Sequence, residues 1–330
     1  MTEAIAIEDI RTAAERLEGA AVKTPLLESD NLNVIAGRRV LVKAECLQRT
    51  GSFKFRGGWS ALSALSPADR EKGVIAFSSG NHAQGVALAA KLHGAPAVIV
   101  MPSDAPQMKI ANTRGYGAEV ILYDRWGESR EEIGAKLAAD RGLTLIKPYD
   151  EPMVMAGQGT CGLEIAEQAA AKGVTEADVI VCCGGGGLTA GIALALEAAA
   201  PGLRVRPAEP IGYDDTKRSL ESGRRERIDG NEASICDAIV TPMPGELTFP
   251  VTIRLCCPGL AVSDEEVRCA MATIWKHLKV VAEPGGAVAV ASALFRREEI
   301  EGDAVICTIS GGNADPDVFT GALSDYGDAP

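Results

Sequence analysis

Thr50-Gly51-Ser52-Phe53-Lys54-Phe55-Arg56-Gly57-Gly58 sets one lysine between a small, flexible Gly-Ser lead-in and an apolar run that continues at helical spacing through Trp59, Leu62 and Leu65. Upstream, Val40-Leu41-Val42-Lys43-Ala44-Glu45 reads as a strand, so Lys54 falls at a strand-to-helix corner. An ammonium desolvated there beside cationic neighbours loses its proton, and the free amine forms Schiff bases with aldehydes. The plain alternative is a solvated lysine in the first turn of a helix. The rest of the chain decides between them.

Beyond the lysine helix, short β-branched runs alternate with amphipathic stretches. The runs are Val74–Phe77, Ala97–Met101, Glu119–Tyr123 and Leu143–Ile146, with helices expected over Ala83–Leu92, Gln107–Tyr116 and Ser129–Ala139. This is the pattern of βαβ units on a parallel sheet. It resumes with a long helix over Gly157–Lys172, a strand Val179–Cys183, a glycine run, a helix Thr189–Ala199 and a strand Leu203–Arg206. Residues 212–258 are polar and proline-interrupted and read mostly as loop. Helices over Asp264–Leu278 and Gly285–Phe295 and a buried strand Ala304–Ile309 follow. The expectation is an α/β protein of two domains: a small module at 73–150 inserted between the segments 1–72 and 151–330 of a larger one, with a cleft between them.

The 330 residues, 46% of them hydrophobic, suffice for a sizeable core. A net charge of −12, with no Lys/Arg cluster, argues against nucleic acid as a partner and for small-molecule chemistry. No apolar run approaches a membrane span, and Met1-Thr2-Glu3-Ala4-Ile5-Ala6 lacks a basic segment followed by an apolar one, so a cytoplasmic protein is expected. The nine cysteines include no Cys-x-x-Cys pair, and with only three histidines they suggest reduced thiols rather than disulfides or zinc.

Four loops at the carboxyl ends of strands stand out, because that edge of a parallel sheet is where ligands bind. Ser78-Ser79-Gly80-Asn81-His82 opens a helix and can hold a carboxylate through hydroxyls, an amide and the helix N-terminus, or can simply be a cap. Gly184-Gly185-Gly186-Gly187-Leu188 lets the backbone close on a phosphate. It also satisfies Gly-x-Gly-x-x-Ala at Gly185, Gly187 and Ala190, with Glu209 downstream, which keeps a nicotinamide-dependent dehydrogenase in play. Ser310-Gly311-Gly312-Asn313 follows the last strand. In Glu209-Pro210-Ile211-Gly212-Tyr213-Asp214-Asp215, side-chain oxygens of Glu209 and Asp215 and an intervening carbonyl can hold a hard cation.

Together and in this order, Ser-Phe-Lys-Phe-Arg-Gly, Ser-Ser-Gly-Asn-His, the tetraglycine and Ser-Gly-Gly-Asn resemble the fold type II (tryptophan synthase β-like) pyridoxal phosphate enzymes, within them the serine/threonine dehydratase and serine racemase family. The resemblance runs from Thr24 to Asn313. It implies parallel sheets flanked by helices, with the active site in the interdomain cleft. It gives Lys54 the cofactor, Phe53 a place beside the ring, Gly184 to Leu188 the phosphate, Asn81 the ring hydroxyl and Ser310 the pyridine nitrogen. A serine there, unlike an aspartate, does not keep that nitrogen protonated, which favours β-elimination over transamination. Ser78, Asn81 and His82 are implied to hold the substrate carboxylate, and Ser79 to reprotonate Cα in racemases. Glu209, the Tyr213 carbonyl and Asp215 are implied to bind a divalent cation, Mg2+ or Ca2+ rather than K+. Arg130 stands where racemases place an arginine near the substrate side chain, able to pair with a second carboxylate, though a helix-surface ion pair explains it equally well. The short tail after Asn313 suggests an unregulated, catabolic enzyme, and the family implies a homodimer. The reading is a dehydratase releasing ammonia from L-threonine or L-serine, with 3-hydroxyaspartate dehydratase or serine racemase as the alternative. A non-catalytic small-molecule sensor on the same fold is a further option.

Overall fold

A computed structural model describes residues 4–105, 107–229 and 233–328; the Met1-Thr2-Glu3 part of the N-terminal reading lies outside them. In chain order the elements are α1 (Ile7–Leu17), β1 (Leu26–Glu28), α2 (Asp30–Ala36), β2 (Arg39–Ala44), α3 (Lys54–Ala64), α4 (Pro67–Lys72), β3 (Val74–Phe77), α5 (Asn81–His93), β4 (Ala97–Pro102), α6 (Gln107–Gly115), β5 (Glu119–Tyr123), α7 (Arg130–Arg141) and β6 (Thr144–Leu145). There follow α8 (Pro152–Ala171), β7 (Ala177–Cys182), α9 (Gly187–Ala199), β8 (Leu203–Pro210), α10 (Asp215–Ser222), α11 (Phe249–Leu255), β9 (Leu260–Val262), α12 (Asp264–Leu278), α13 (Pro284–Phe295), β10 (Ala304–Ile309) and α14 (Pro316–Tyr326).

Two sheets result. One has the strand order β1-β2-β10-β7-β8-β9, parallel except that β1 runs against β2; the other, β5-β4-β3-β6, is wholly parallel. All four strands of the second sheet fall between Val74 and Leu145, while β2, from before it, pairs with β10 near the end of the chain. Every residue of β7 and of β10 is buried, as expected for strands covered on both faces. One apolar core lies between the larger sheet and α12 and α13, and another between its opposite face and α8 and α9.

Residues 212–258 contain more order than the sequence suggests, because α10 and α11 form there. Helix α8 starts at Pro152 rather than Gly157: Pro at the first helical position and the Glu151 carboxylate, which accepts from the amides of Met153 and Val154, supply a start signal hidden ahead of the apolar pattern. Strand β8 runs on to Pro210, so Glu209 is a strand residue and not a loop residue.

Helix α3, which begins at Lys54, is packed between α5 and α8. The approach to α5 is close enough that a Cβ on Gly85 would lie 2.9 Å from the Lys54 carbonyl. On the α8 side the constraint is ionic. Arg56 donates to both oxygens of Glu45 (2.7 and 2.8 Å) and both oxygens of Glu164 (2.7 and 2.9 Å), and Lys43 reaches Glu164 at 2.6 Å. Lys43, Glu45 and Arg56 are fully buried. Burial alone would raise the Glu45 carboxyl, but the Arg56 guanidinium overcomes it and holds the group below the usual range. The cationic help expected for Lys54 therefore does not come from Arg56, which turns away into its own carboxylates. Truncating one partner strands a buried charge, so Arg56→Leu is expected to lower stability by about 3–5 kcal/mol. Urea unfolding followed by circular dichroism measures this, and a change of under about 1 kcal/mol would contradict the assigned role of the cluster.

Candidate active site

Two irregular loops meet at the start of α3. Thr50 has φ +60° and Gly51 φ +73°, a left-handed pair that is costly at threonine, and the turn is held from across the sheet. Asn313 Nδ2 donates to the Thr50 carbonyl (2.8 Å), Gly312 N to the Gly51 carbonyl (2.9 Å) and Phe53 N to the Ser310 carbonyl (3.0 Å). The turn thus carries Phe53 and Lys54 to the buried Ser310. The Lys54 ammonium lies 5.1 Å from the centre of the Phe53 ring and donates to the Pro148 carbonyl at 2.7 Å. Burial pushes it down to about 8, against an opposing pull from the Glu283 carboxylate.

The tetraglycine joins β7 to α9, with Gly186 at φ +88° and Gly187 as the first helical residue. A Cβ on Gly185 would overlap the Tyr149 ring, and one on Gly187 would lie 3.0 Å from Tyr149 Cα, so the loop packs on Tyr149 too closely for side chains at these positions. The Gly185 carbonyl is turned away by Thr248 Oγ1 (2.7 Å) and Gly245 N (3.2 Å). Thr189 Oγ1, in the first turn of α9, is buried without a partner. A glycine loop, a helix N-terminus and an unpaired hydroxyl on one cavity suit a phosphate.

That cavity, of about 690 Å3, is also lined by Lys54, Ser78, Ser79, Asn81, His82, Arg130 and Ser310, so the structure brings these expected residues together with Phe53, Gly184 to Gly187 and Leu188. Asn81 is not a cap. Its Nδ2 donates to Glu283 (2.5 Å), while its Oδ1 accepts from Asn313 (2.8 Å). His82 bonds the Ile146 carbonyl through Nε2 (2.9 Å), and burial, then the Lys54 charge, push it down to about 3, so it is a neutral donor there and not a cation for a carboxylate. Arg130 pairs with Glu131 at 2.7 Å, both side chains more than half exposed, and also faces a side pocket of about 120 Å3 lined by Ser78, Ser79, Tyr123 and Arg125. Thr189, Tyr149 and Glu283 were missed. Thr189 lies in an apolar helix, Tyr149 in the return from the small sheet, and Glu283 reads as an ordinary helix start before Pro284.

The residues expected to bind a cation fall away from this lining. Glu209, Tyr213 and Asp215 are all buried. The Glu209 carboxylate accepts from the amides of Thr216 (2.9 Å) and Lys217 (2.8 Å), which leaves it no freedom to serve as a ribose acceptor, and both Asp215 oxygens lack a partner. Burial, then the Asp215 charge, raises Glu209 well above the carboxylate range, and burial pushes Asp215 up to about 8. The buried Asp215 carboxyl, with both oxygens unpaired and the Glu209 carboxyl beside it, fits a hard cation. Among the described residues no cluster of three His, Cys, Asp or Glu forms a metal site, and no helix is long and apolar enough to cross a membrane.

A family model described as pyridoxal-phosphate dependent enzyme matches residues 17–312. The chain is 44% identical over 315 residues to an L-threo-3-hydroxyaspartate ammonia-lyase of Pseudomonas sp, covering 96% of this chain and 97% of the relative. It is 41% identical over 317 residues to a serine racemase of Schizosaccharomyces pombe, covering 96% and 97%. Among solved structures, a T.th. threonine deaminase superposes with a TM-score of 0.89 at 42% identity, covering 94% of this chain and 99% of that one. A maize serine racemase gives 0.91 at 35%, covering 98% of each.

The depressed Lys54 amine gives a direct expectation. Borohydride trapping of pyridoxal phosphate should label Lys54 with a rate that rises with pH through about 8 and then levels, because only the neutral amine attacks. Peptide mapping reads the label, and labelling that is spread over other lysines, or unchanged in Lys54→Arg, would refute it.

Proposed function

The chain belongs to the pyridoxal-phosphate-dependent enzymes, and from that premise we propose that it is an ammonia-lyase removing water from a small β-hydroxy amino acid, with 3-hydroxyaspartate as its best substrate. Pyridoxal phosphate, when bound, draws electrons from the substrate Cα. The residues around it fit. Gly184 to Leu188 and Thr189 would hold the phosphate, Phe53 would flank the ring, Asn81 would meet the ring hydroxyl, and the Ser310 hydroxyl would meet the pyridine nitrogen without forcing a proton onto it. Lys54 takes the proton from Cα, its amine prepared by burial rather than by a cationic neighbour. The β-hydroxyl leaves as water with the proton that Lys54 returns, and the product takes up one water to give a 2-oxo acid and ammonia.

One observation moves the preference from threonine and serine to a dicarboxylic substrate: Arg130 lines the cavity beside Ser78 and Ser79, and the carboxylate it pairs with is the exposed Glu131. A surface pair of that kind is worth about 0–1 kcal/mol, so an arriving carboxylate displaces Glu131 at little cost. Racemisation is the second reading, supported by Ser79 on the same cavity as Lys54.

With purified protein and pyridoxal phosphate, ammonia and 2-oxo acid are expected from L-threo-3-hydroxyaspartate in preference to threonine or serine. Arg130→Ala should lower kcat/KM for 3-hydroxyaspartate by about 10- to 100-fold, the equivalent of one charge-assisted bond, and for serine by only a few-fold. Equal losses would return the preference to the monocarboxylic substrates. For the cation we propose Glu209, Asp215 and the Tyr213 carbonyl as ligands: Mg2+ or Ca2+ should raise the melting temperature, and Asp215→Asn should abolish that response. A cation response that survives in Asp215→Asn would place the ion elsewhere.

A further inference from the structure

Glu283 lines the cavity at the end of a hydrogen-bonded row that no expected role explains. The row starts at the Thr50 carbonyl, which accepts from Asn313 Nδ2 (2.8 Å); the same Nδ2 donates to Asn81 Oδ1 (2.8 Å), and Asn81 Nδ2 donates to Glu283 Oε1 (2.5 Å). Both hydrogens of the Asn313 amide are therefore committed, as are the Asn81 oxygen and one Asn81 hydrogen. One Asn81 N–H is left. Gly311 forms the floor beneath the pair: a Cβ there would overlap Glu283 Oε1 and lie 3.1 Å from Asn81 Nδ2. Glu283 is itself anchored by its amide, which donates to the Gly311 carbonyl at 3.0 Å.

We propose that Glu283 is a positioning residue that, while ionised, fixes the Asn81 amide in the one orientation that offers an N–H to the cavity. Reversing the amide would set its NH2 against the Asn313 NH2 and its oxygen against the Glu283 carboxylate, so both contacts turn repulsive. A protonated Glu283 removes half of that penalty, because its O–H can donate to the reversed amide oxygen. The lock is thus present above the Glu283 pKa and relaxes below it.

The surroundings put this change in the neutral range. Burial pushes Glu283 up to about 7, assisted by the Asp237 carboxylate and opposed by the Asn81 bond and the Lys109 and Lys54 cations. Lys109 is held 3.0 Å from Asp237, which offsets part of both charges. The Cys46 thiol on the remaining side stays neutral, pushed up to about 12 by burial and then by Glu45. The inference rests on the proposed cofactor reading only in what the free N–H meets, the ring hydroxyl.

The test has two arms. In the substrate-free holoenzyme, the visible bands of bound pyridoxal phosphate are followed from pH 5.5 to 9. Wild type should show a step near pH 7 that Glu283→Gln and Asn81→Ala each lose, with the double variant no different from either. The half-saturating cofactor concentration of Glu283→Gln should stay within about threefold, because the phosphate loop is untouched. An unchanged step in Glu283→Gln, or additive effects in the double variant, would overturn the proposal. In the second arm the Asn81 side-chain amide of the cofactor-free wild type, assigned by its loss in Asn81→Ala, is followed by NMR. A midpoint near 7 supports the lock and a flat response overturns it. This arm needs neither a folded Glu283 variant nor a bound cofactor, so absence of any chromophore would sink the functional reading while leaving the lock decidable.

Discussion

The site depends on a backbone seam. The turn that delivers Lys54 is left-handed at Thr50, a conformation a threonine does not hold unaided, and it persists because Gly312 N, Asn313 Nδ2 and the Ser310 carbonyl bind it from the far strand end. The β2–β10 pairing sets the register of that seam, since Ala44 lies opposite Ile309 and the two loops diverge from there. Displacing either loop moves Lys54 and Ser310 relative to each other, and with them the two ends of the ring they are proposed to hold.

Charge is partitioned around the same helix. On one flank of α3, Arg56, Lys43, Glu45 and Glu164 neutralise each other in the interior, which fixes the helix without projecting a field toward the cavity. On the other, the Lys54 amine owes its lowered pKa to burial, with a buried carboxyl, Glu283, tempering the effect. The first arrangement needs full ionisation and the second needs partial neutrality. Separating them on opposite faces lets one helix carry both.

Much of the frame was legible because its signals are local. Val74–Phe77 and Glu119–Tyr123 each carry a Val-Ile pair and an aromatic residue in a short run, and both strands form where the runs are. Lys54 and the four glycines announce themselves by composition. What escaped depends on distant partners. Strand β8 passes through Pro207 to Pro210 because flanking strands hold it, against local preference. Helix α10 opens on Asp215, whose neighbours' amides are satisfied by Glu209 from the preceding strand. Glu283 carries no sequence mark, since its significance comes from Asn81, 202 positions away. The expectation of cationic help for Lys54 failed for the same reason: adjacency in sequence placed Arg56 near it, and helical geometry turned the side chain elsewhere.

The seam has a consequence for how the molecule is made. Thr50 and Asn313 are 263 positions apart, so contacts that complete the pocket join the first sixth of the chain to its last stretch. During synthesis the inserted parallel sheet has all its strands long before β10 leaves the ribosome, whereas the lysine turn waits for the loop that follows β10. A nascent chain therefore holds the Lys54 turn without its hydrogen-bond partners until Gly312 and Asn313 have emerged.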